Sequence, residues 1–132
     1  MDKPLRPSLS DAERDVLRTL WDEGPGTVRQ LRVRLEERGR TWAYTTVLTL
    51  LQRLLAKGCV SSDTAGSAHI FRAEASRDDL LQDRLKVLAD ELCEGASAPL
   101  VLALVKNHAF SPEEIAKFRA ILDAHGDPKS SV

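Results

Sequence analysis

The 132-residue sequence is poor in cysteine and lacks a long apolar run. Its two cysteines, Cys59 and Cys93, stand far apart and form no metal-binding pair, so we expect two reduced, partly buried thiols. No apolar stretch approaches the length that spans a bilayer, and the N-terminus carries no secretion signal. We therefore expect a cytoplasmic protein without direct membrane insertion.

Catalytic constellations are also missing. His69, His108 and His125 stand in unrelated contexts without catalytic or metal-ligand spacing, which favours solvated surface residues. Cys59 lies near His69 across a predicted hairpin, but a cysteine on a small strand more often packs inward than attacks a substrate. Because a phosphate-cradling glycine loop and a catalytic carboxylate pair are lacking too, the sequence indicates no enzyme, no cofactor and no metal.

The net charge of −1 conceals an uneven distribution along the chain. Residues 1–73 carry 12 basic and 9 acidic side chains, whereas residues 74–132 carry 7 and 11. Within residues 24–58, seven basic side chains stand against two glutamates. A basic N-terminal half is typical of a surface that binds a polyanion such as DNA, and the acidic half argues against DNA contact there.

Local signals divide the N-terminal half into three helices. Ser10 and Glu13 form a capping box, as do Thr27 and Gln30, and each box predicts a helix start. A third helix is predicted over residues 42–58, and glycines end all three. The predicted core residues are Val16, Leu17, Leu20, Trp21, Val28, Leu31, Leu35, Val47, Leu50, Leu51 and Leu54.

Two short extended runs follow the three helices. Residues 59–63 and 68–72 flank a segment over residues 64–67 in which Gly66 and Ser67 suit a turn, and this pattern predicts a β-hairpin. Three helices followed by a hairpin is the order of a winged helix. The sequence therefore predicts a mainly α fold: an α+β winged helix-turn-helix domain over residues 9–75, preceded by a disordered N-terminus over residues 1–8.

Three further helices are predicted in residues 76–125. The first carries a leucine stripe, the second is apolar on all sides and should be buried, and Ser111-Pro112-Glu113-Glu114 opens the third. Three short helices cannot bury this much apolar surface among themselves, so we expect a helical dimerisation domain. Packing back on the winged helix is the alternative, and residues 126–132 should form a disordered tail. The predicted dimerisation residues are Leu81, Leu85, Leu88, Leu92, Leu100, Leu104, Ile115, Phe118 and Leu122.

The third helix also has a polar face. Its members are Tyr44, Thr45, Leu48, Thr49, Gln52 and Arg53. Short hydroxyls, an amide, a guanidinium and one apolar side chain can read base edges in a major groove of DNA. A merely solvated helix face has a similar composition, but the surrounding order of elements favours DNA binding.

Four segments between Leu9 and Ala124 share the pattern of one known family. They are Leu9-Ser10-Asp11-Ala12-Glu13 with the following Val16-Leu17 and Leu20-Trp21, Thr27-Val28-Arg29-Gln30-Leu31, residues 43–58, and Ser111-Pro112-Glu113-Glu114. On these residues the chain resembles the penicillinase-repressor family, which includes the methicillin-resistance and copper-transport repressors. The resemblance implies a homodimeric transcriptional repressor that occupies palindromic DNA operators with TACA/TGTA-like half-sites.

The resemblance also implies roles for single residues. Thr46 and Thr49 match positions that meet bases or backbone, and Arg53 matches a basic position one turn further along. Leu48 stands where some relatives have arginine, and a leucine can touch a thymine methyl but cannot grip guanine with two hydrogen bonds. The wing tip lacks positive charge, so we expect a weak or absent wing contribution. The residues predicted to contact DNA are Arg29, Thr41, Ala43, Tyr44, Thr45, Thr46, Leu48, Thr49, Gln52, Arg53, Ser67, His69 and Arg72.

Repressors of this family can be inactivated by a membrane-bound sensor protease that cuts in the dimerisation region. The resemblance implies that the corresponding stretch is residues 102–105, with Ala103 and Leu104 as the candidate cleavage site, although these residues differ from those of the best-known relatives. The paired C-terminal cysteines of the copper-responsive members are absent, which argues against Cu(I) sensing. Antibiotic resistance is one use of the family, and nothing in the sequence selects it.

Two other functions stay open at this point. A winged helix can bind another protein instead of DNA, but such domains usually lose the basic recognition face that this chain retains. A small-molecule-responsive regulator would need a pocket, and Trp21, Trp42 and Phe71 each fit core positions instead of an aromatic cluster.

Overall fold

The computed structural model describes residues 5–126. The predicted disordered segments fall partly outside this range, in residues 1–4 and 127–132. The described residues form helices and one hairpin in the predicted order. The elements are α1 Asp11–Glu23, α2 Val28–Glu37, α3 Tyr44–Ala56, β1 Val60–Ala65, β2 Ala68–Ala73, α4 Arg77–Leu92, α5 Ala98–Asn107 and α6 Pro112–His125.

The helix starts show how far local signals determine this fold. Both predicted capping boxes form: the Ser10 hydroxyl accepts from the N–H of Glu13 while the Glu13 carboxylate accepts from the N–H of Ser10, and Thr27 and Gln30 repeat the arrangement. The helix α3 begins two residues later than predicted. Its N-cap, Ala43, has extended backbone and supplies no side-chain hydrogen bond.

The helices α1, α2 and α3 share one apolar core. Ten of the predicted core residues are buried there, and the most deeply buried include Leu17, Leu31, Leu51 and Leu54. Burying a leucine side chain stabilises a fold by about 1.5–3 kcal/mol, so this set dominates the stability of the domain. Trp21 is only partly buried at the edge of the core, where its Nε1–H donates to the carbonyl of Ala75 at 2.8 Å.

The hairpin is longer than the sequence predicted. The strands β1 and β2 are antiparallel with Ala65 opposite Ala68, so the turn contains only Gly66 and Ser67. Gly66 and Ser67 are the residues that the sequence favoured for the turn, and the φ of +65° at Gly66 permits this two-residue connection. The strands extend further than predicted, because Thr64 and Ala65 belong to β1. A single-residue bridge between Gly26 and Phe71 adds a third segment beside β2.

The two ends of the hairpin meet at one residue. The carbonyl oxygen of Cys59 accepts hydrogen bonds from the N–H groups of Glu74, at 2.9 Å, and Ala75, at 3.1 Å. The N–H of Cys59 in turn donates to the carbonyl of Leu54 at the end of α3. The wing is therefore joined at its base to α3 and to the segment that leads into α4.

The chain divides into two compact units, one up to Leu88 and one from Ala89 onward. The sequence predicted the division after residue 75. The start of α4 belongs to the first unit because Leu80 packs against the core and the Arg77 guanidinium lies 5.0 Å from the centre of the Trp21 ring. In the same unit, Arg6 of the predicted disordered segment forms a 3.0 Å ion pair with Asp83 of α4.

The helices α5 and α6 differ from the sequence prediction in their burial. The sequence predicts that α5 is buried on all sides, but neither α5 nor α6 has a buried residue in the single chain. The prediction was wrong for the isolated chain because apolar composition does not by itself provide a covering surface. Across residues 5–126, no helix is long and apolar enough to cross a membrane.

Candidate nucleic-acid interface

The helix α3 separates an apolar side from a polar side. Val47, Leu50, Leu51 and Leu54 recur at helical spacing and are buried, as the sequence predicted. This packing fixes the rotation of the helix against α1 and α2. The exposed polar residues on its remaining surface are Tyr44, Thr45, Thr46, Thr49, Gln52 and Arg53.

Leu48 differs from the other residues of this polar side. It is half-buried and packs against the hydrophobic core, so only part of its side chain is available to a ligand. The predicted contact with a thymine methyl would therefore use the exposed part of the isobutyl group. The exposed polar residues of α3 would therefore contribute more than Leu48 to the recognition of DNA.

The hydroxyl of Thr49 has a defined hydrogen-bonding role. Its Oγ1 donates to the carbonyl of Thr45 at 2.9 Å, one helical turn earlier. Since the hydroxyl hydrogen is engaged, the oxygen is left as an acceptor for a ligand. Exposed amino groups of adenine and cytosine in a major groove are donors of the kind that this acceptor fits.

The start of α3 is open to an anion. Ala43 provides no side-chain cap, so the first-turn N–H groups of α3 have no side-chain acceptor. The helix dipole places partial positive charge at the same end, which suits a phosphate group. Thr41, Ala43 and Tyr44, which are among the residues predicted to contact DNA, are exposed beside it.

Most of the basic side chains counted in residues 24–58 are already engaged within the domain. The Arg34 guanidinium donates hydrogen bonds to the carbonyls of Gly24 and Pro25, and these bonds hold the connection between α1 and α2. The remaining engaged pairs are Arg38 with Asp22 and Glu23, Arg40 with Asp15, and Lys57 with Glu13. The net charge of the segment therefore overstates the positive charge that the domain presents.

Three arginines of the same segment are exposed and have no ion pair in the part of the chain that the structure describes: Arg29 and Arg32 on α2 and Arg53 on α3. The residues predicted from the sequence to contact DNA include Arg29 and Arg53 but not Arg32. The signal for Arg32 was its spacing, because residues three apart on a helix share a face. These three side chains are the cations that α2 and α3 present to solvent.

The wing offers little positive charge. Ser67 in the turn and His69 on β2 are exposed, as a contact with DNA would require. Arg72, at the base of the wing, lies 3.4 Å from the carboxylate of Asp63 on the other strand. This pair reduces the positive charge that Arg72 presents, and the weak contribution of the wing to DNA binding stays a prediction.

Cys59 and His69 do not form a catalytic pair. His69 stands opposite Thr64 in the strand register and is exposed, whereas Cys59 is fully buried at the hairpin base. Burial raises the pKa of the Cys59 thiol, which keeps it protonated. Cys93, on the other unit, is a free and partly exposed thiol.

The residues predicted to form a dimer interface are exposed in the single chain, except for the half-buried Leu100. Their exposed fractions are large for leucines, reaching 74% for Leu92. Phe118 packs edge-on against Phe110, with 5.1 Å between the ring centres, so part of this surface is ordered by its own contacts. Ala103 and Leu104, the candidate cleavage site, are exposed within α5.

Comparison with known proteins agrees with this geometry. The penicillinase repressor of Bacillus licheniformis is 25% identical over 123 residues, which cover 93% of this chain and 95% of that protein. The transcriptional regulator BlaI of Mycobacterium tuberculosis is 43% identical over 74 residues, covering 55% of this chain and 53% of the relative. A solution structure of the DNA-binding domain of the repressor BlaI matches 60% of this chain and 93% of that domain, with 26% identity and a TM-score of 0.50.

These similarities and the observed order of elements establish the fold of the N-terminal unit as a winged helix. The sequence model of the penicillinase repressor matches residues 9–124, which include both the winged helix and the C-terminal helices. The resemblance noted from the sequence motifs is thereby confirmed. The chain belongs to the penicillinase repressor family.

Proposed function

We propose that this protein is a homodimeric transcriptional repressor that binds DNA through the exposed side of α3. The observation that carries the proposal is the division of α3 into a buried apolar side and an exposed side of hydroxyls, an amide and a guanidinium. Such groups recognise base edges in a major groove. The DNA-binding domain of BlaI, which is 26% identical over the same region, supports this use of the fold.

In this proposal the residues of α3 divide the work by position. Tyr44 and the backbone N–H groups of the first turn of α3 bind a phosphate, because those N–H groups have no side-chain cap. Thr49 acts as an acceptor and Gln52 as a bidentate partner for a base edge. Arg53, one turn further, binds either a guanine or a phosphate, since its guanidinium has no ion pair among residues 5–126.

Dimerisation through the C-terminal helices completes the proposal. Exposed leucines on α4 and α5 and exposed apolar residues on α6 form more apolar surface than a monomer normally leaves in water. Two linked winged helices would occupy a palindromic operator, with the TACA/TGTA-like half-sites that the family resemblance implies. Linkage converts two weak half-site contacts into one tight one.

Inactivation by a sensor protease is the finer part of the proposal. Ala103 and Leu104 lie inside α5 and not in a loop. A protease binds its substrate in an extended form, so cleavage at this position requires local unwinding of α5. We expect cleavage to separate the chain within the dimerisation region and to lower operator occupancy.

The test is selection of random duplex DNA by the purified full chain, followed by a salt titration on the enriched sequence. We expect a two-fold palindrome whose affinity falls steeply with rising salt. The matched control is a T49A/Q52A/R53A variant, which should enrich no sequence while keeping its helical circular dichroism. Equal enrichment by the wild type and this variant, or no enrichment by either, would contradict the proposal and favour a winged helix that binds protein.

A further inference from the structure

A cavity of about 480 Å³ lies in the first unit, between residues 6–9, α1 and the start of α4. None of the residues that line it belongs to α3, so it is separate from the surface proposed to bind DNA. Its volume falls in the range of about 300–1,000 Å³ that is typical of small-molecule sites. The sequence does not signal this cavity, because α4 is distant in the chain from the other two segments that line it.

The cavity combines an apolar lining with a cationic one. Leu9, Trp21, Leu80 and Leu81 supply apolar surface. The charged residues of the lining are Arg6, Arg14, Arg18, Arg77, Arg84 and Asp83. Five guanidinium groups against one carboxylate give the lining a strong excess of positive charge, although the protein as a whole carries a net charge of −1.

Three of these arginines are paired with aspartates. Arg6 pairs with Asp83, while Arg14 and Arg18 lie near Asp11 and Asp15 of their own helix. Arg6 and Arg14 each have a carboxylate oxygen at 3.0 Å, whereas Arg18 lies 3.9 Å from Asp15, whose carboxylate also pairs with Arg40. Arg6 and Arg14 therefore add little net attraction for an anion.

The other two arginines retain their charge. Arg77 lies with its guanidinium 5.0 Å from the centre of the Trp21 ring, and that contact does not neutralise it. Arg84 has no ion pair within the described part of the chain. Both side chains line the same cavity as Trp21, Leu80 and Leu81, and both keep a positive charge for a ligand.

We propose that this cavity is a binding site for a small aromatic carboxylate. The aromatic body of such a ligand would lie against Leu9, Leu80 and Leu81, beside the Trp21 ring over which Arg77 lies. Its carboxylate would accept charge-assisted hydrogen bonds from Arg84 and Arg77. A neutral aromatic compound would gain the apolar contacts alone. The proposal does not depend on DNA binding, since none of these residues lies on α3.

The position of the cavity gives the ligand a structural effect. It lies between α1, a core helix of the winged helix, and α4, which continues into the second unit. A ligand that contacts both helices would hold the start of α4 against α1. We expect the first unit to unfold at a higher temperature when the site is filled, since a ligand of the native state stabilises it by mass action.

The test uses 2-naphthoate as the probe and 2-naphthamide, its neutral analogue, as the matched control ligand. Binding to the full chain is followed by the resonance of the Trp21 indole N–H, which donates to the carbonyl of Ala75. We expect 2-naphthoate to shift this resonance and to bind at least about tenfold more tightly than the amide, because only the acid can form charge-assisted hydrogen bonds. Equal affinity for both compounds, or no shift with either, would overturn the proposal.

Variants identify the cationic partner. Arg84→Gln should weaken 2-naphthoate about tenfold without changing the affinity for the amide. Arg119→Gln, an equal change of charge on α6, should leave both affinities as they were. Unchanged binding of 2-naphthoate by the folded Arg84→Gln variant would overturn the assignment. A short DNA duplex that shifts the Trp21 resonance as 2-naphthoate does would also overturn it, because the cavity would then belong to the DNA-binding surface. The comparison of the two ligands on the wild type needs no variant to fold.

Discussion

The ammonium group of Lys57 donates a 2.7 Å hydrogen bond to the buried carboxylate of Glu13 and so joins the C-terminal end of α3 to the first turn of α1. The same Glu13 oxygen accepts the backbone N–H of Ser10 in the capping box. One carboxylate therefore starts a helix and positions the end of the helix proposed to read DNA. Only 2% of Glu13 is exposed, so this charge depends on its partners.

Removing the ammonium should destabilise the fold. Lys57→Met leaves the buried carboxylate without its cation, and we expect the free energy of unfolding to fall by about 1–3 kcal/mol. Urea denaturation of the two proteins measures the difference. Lys117→Met, at an exposed position on α6, is the matched control and should change little. Equal stability of the Lys57 variant and the wild type would show that the pair contributes nothing.

The same carboxylate predicts a dependence of stability on pH. Burial acts to raise the pKa of Glu13, but the hydrogen bonds from Lys57 and Ser10 outweigh it and hold the pKa below its ordinary value of 4.5. The carboxylate thus contributes stability above pH 4.5 that is lost as pH falls through the folded-state pKa. Between pH 6 and pH 3, denaturant midpoints should fall more steeply for the wild type than for Glu13→Gln. Parallel curves would refute the prediction.

Substitutions on α3 should weaken specific DNA binding. Thr49→Ala removes the proposed acceptor and Arg53→Ala removes an unpaired guanidinium, and each should cost about 1–3 kcal/mol if it contacts a base. Arg14→Ala serves as the control because its guanidinium is paired with Asp11 on α1. Affinities for the selected operator, measured by fluorescence anisotropy, give the answer. If both α3 variants bind like the control, α3 is not the reading helix.

Because the wing carries little positive charge, adding a free cation there should raise the affinity for DNA. Asp63→Asn should free Arg72 from its ion pair and return one cation to the wing. One additional phosphate contact would raise affinity for duplex DNA and steepen the salt dependence by about one unit of slope. Ser61→Asn, on the same strand but without a charge to remove, is the control. A slope that stays constant would mean that the wing does not approach the backbone.

Charges placed in the leucine stripe should separate the proposed dimer. Leu88→Glu combined with Leu92→Glu introduces two carboxylates at exposed leucines of α4, where burial in an interface would be costly. Sedimentation analysis should show a monomer that binds one half-site poorly. Gln82→Glu, at an exposed polar position on α4, should remain a dimer. A double variant that sediments as a dimer would place the interface elsewhere.

Local chemistry explains what could be predicted from the sequence. Capping boxes need only residues three apart, and the core stripe of α3 needs only helical spacing, so both were predicted correctly. The polar side of α3 follows from the same spacing. The helix starts and the candidate reading residues could therefore be placed before any tertiary contact was known.

Partners that are distant in sequence explain what was missed. Arg38 meets Asp22 and Arg40 meets Asp15 only after α1 and α2 have packed together, so counting charges could not show that these cations are engaged. The cavity beside Trp21 depends on residues 6–9 and α4 reaching α1, which the sequence does not signal. Tertiary packing, not local propensity, decides which arginines remain available.

Because both ends of the hairpin meet at Cys59, the wing can differ in length or sequence without a change in the rest of the fold. Because the chain enters and leaves the wing at one anchored point, added or deleted residues at Gly66 and Ser67 need not displace α3 or α4. The length and charge of the hairpin can therefore change while the helix proposed to read DNA stays in place. The charge of the hairpin, which is balanced here by the Asp63–Arg72 pair, can vary independently of the three-helix core.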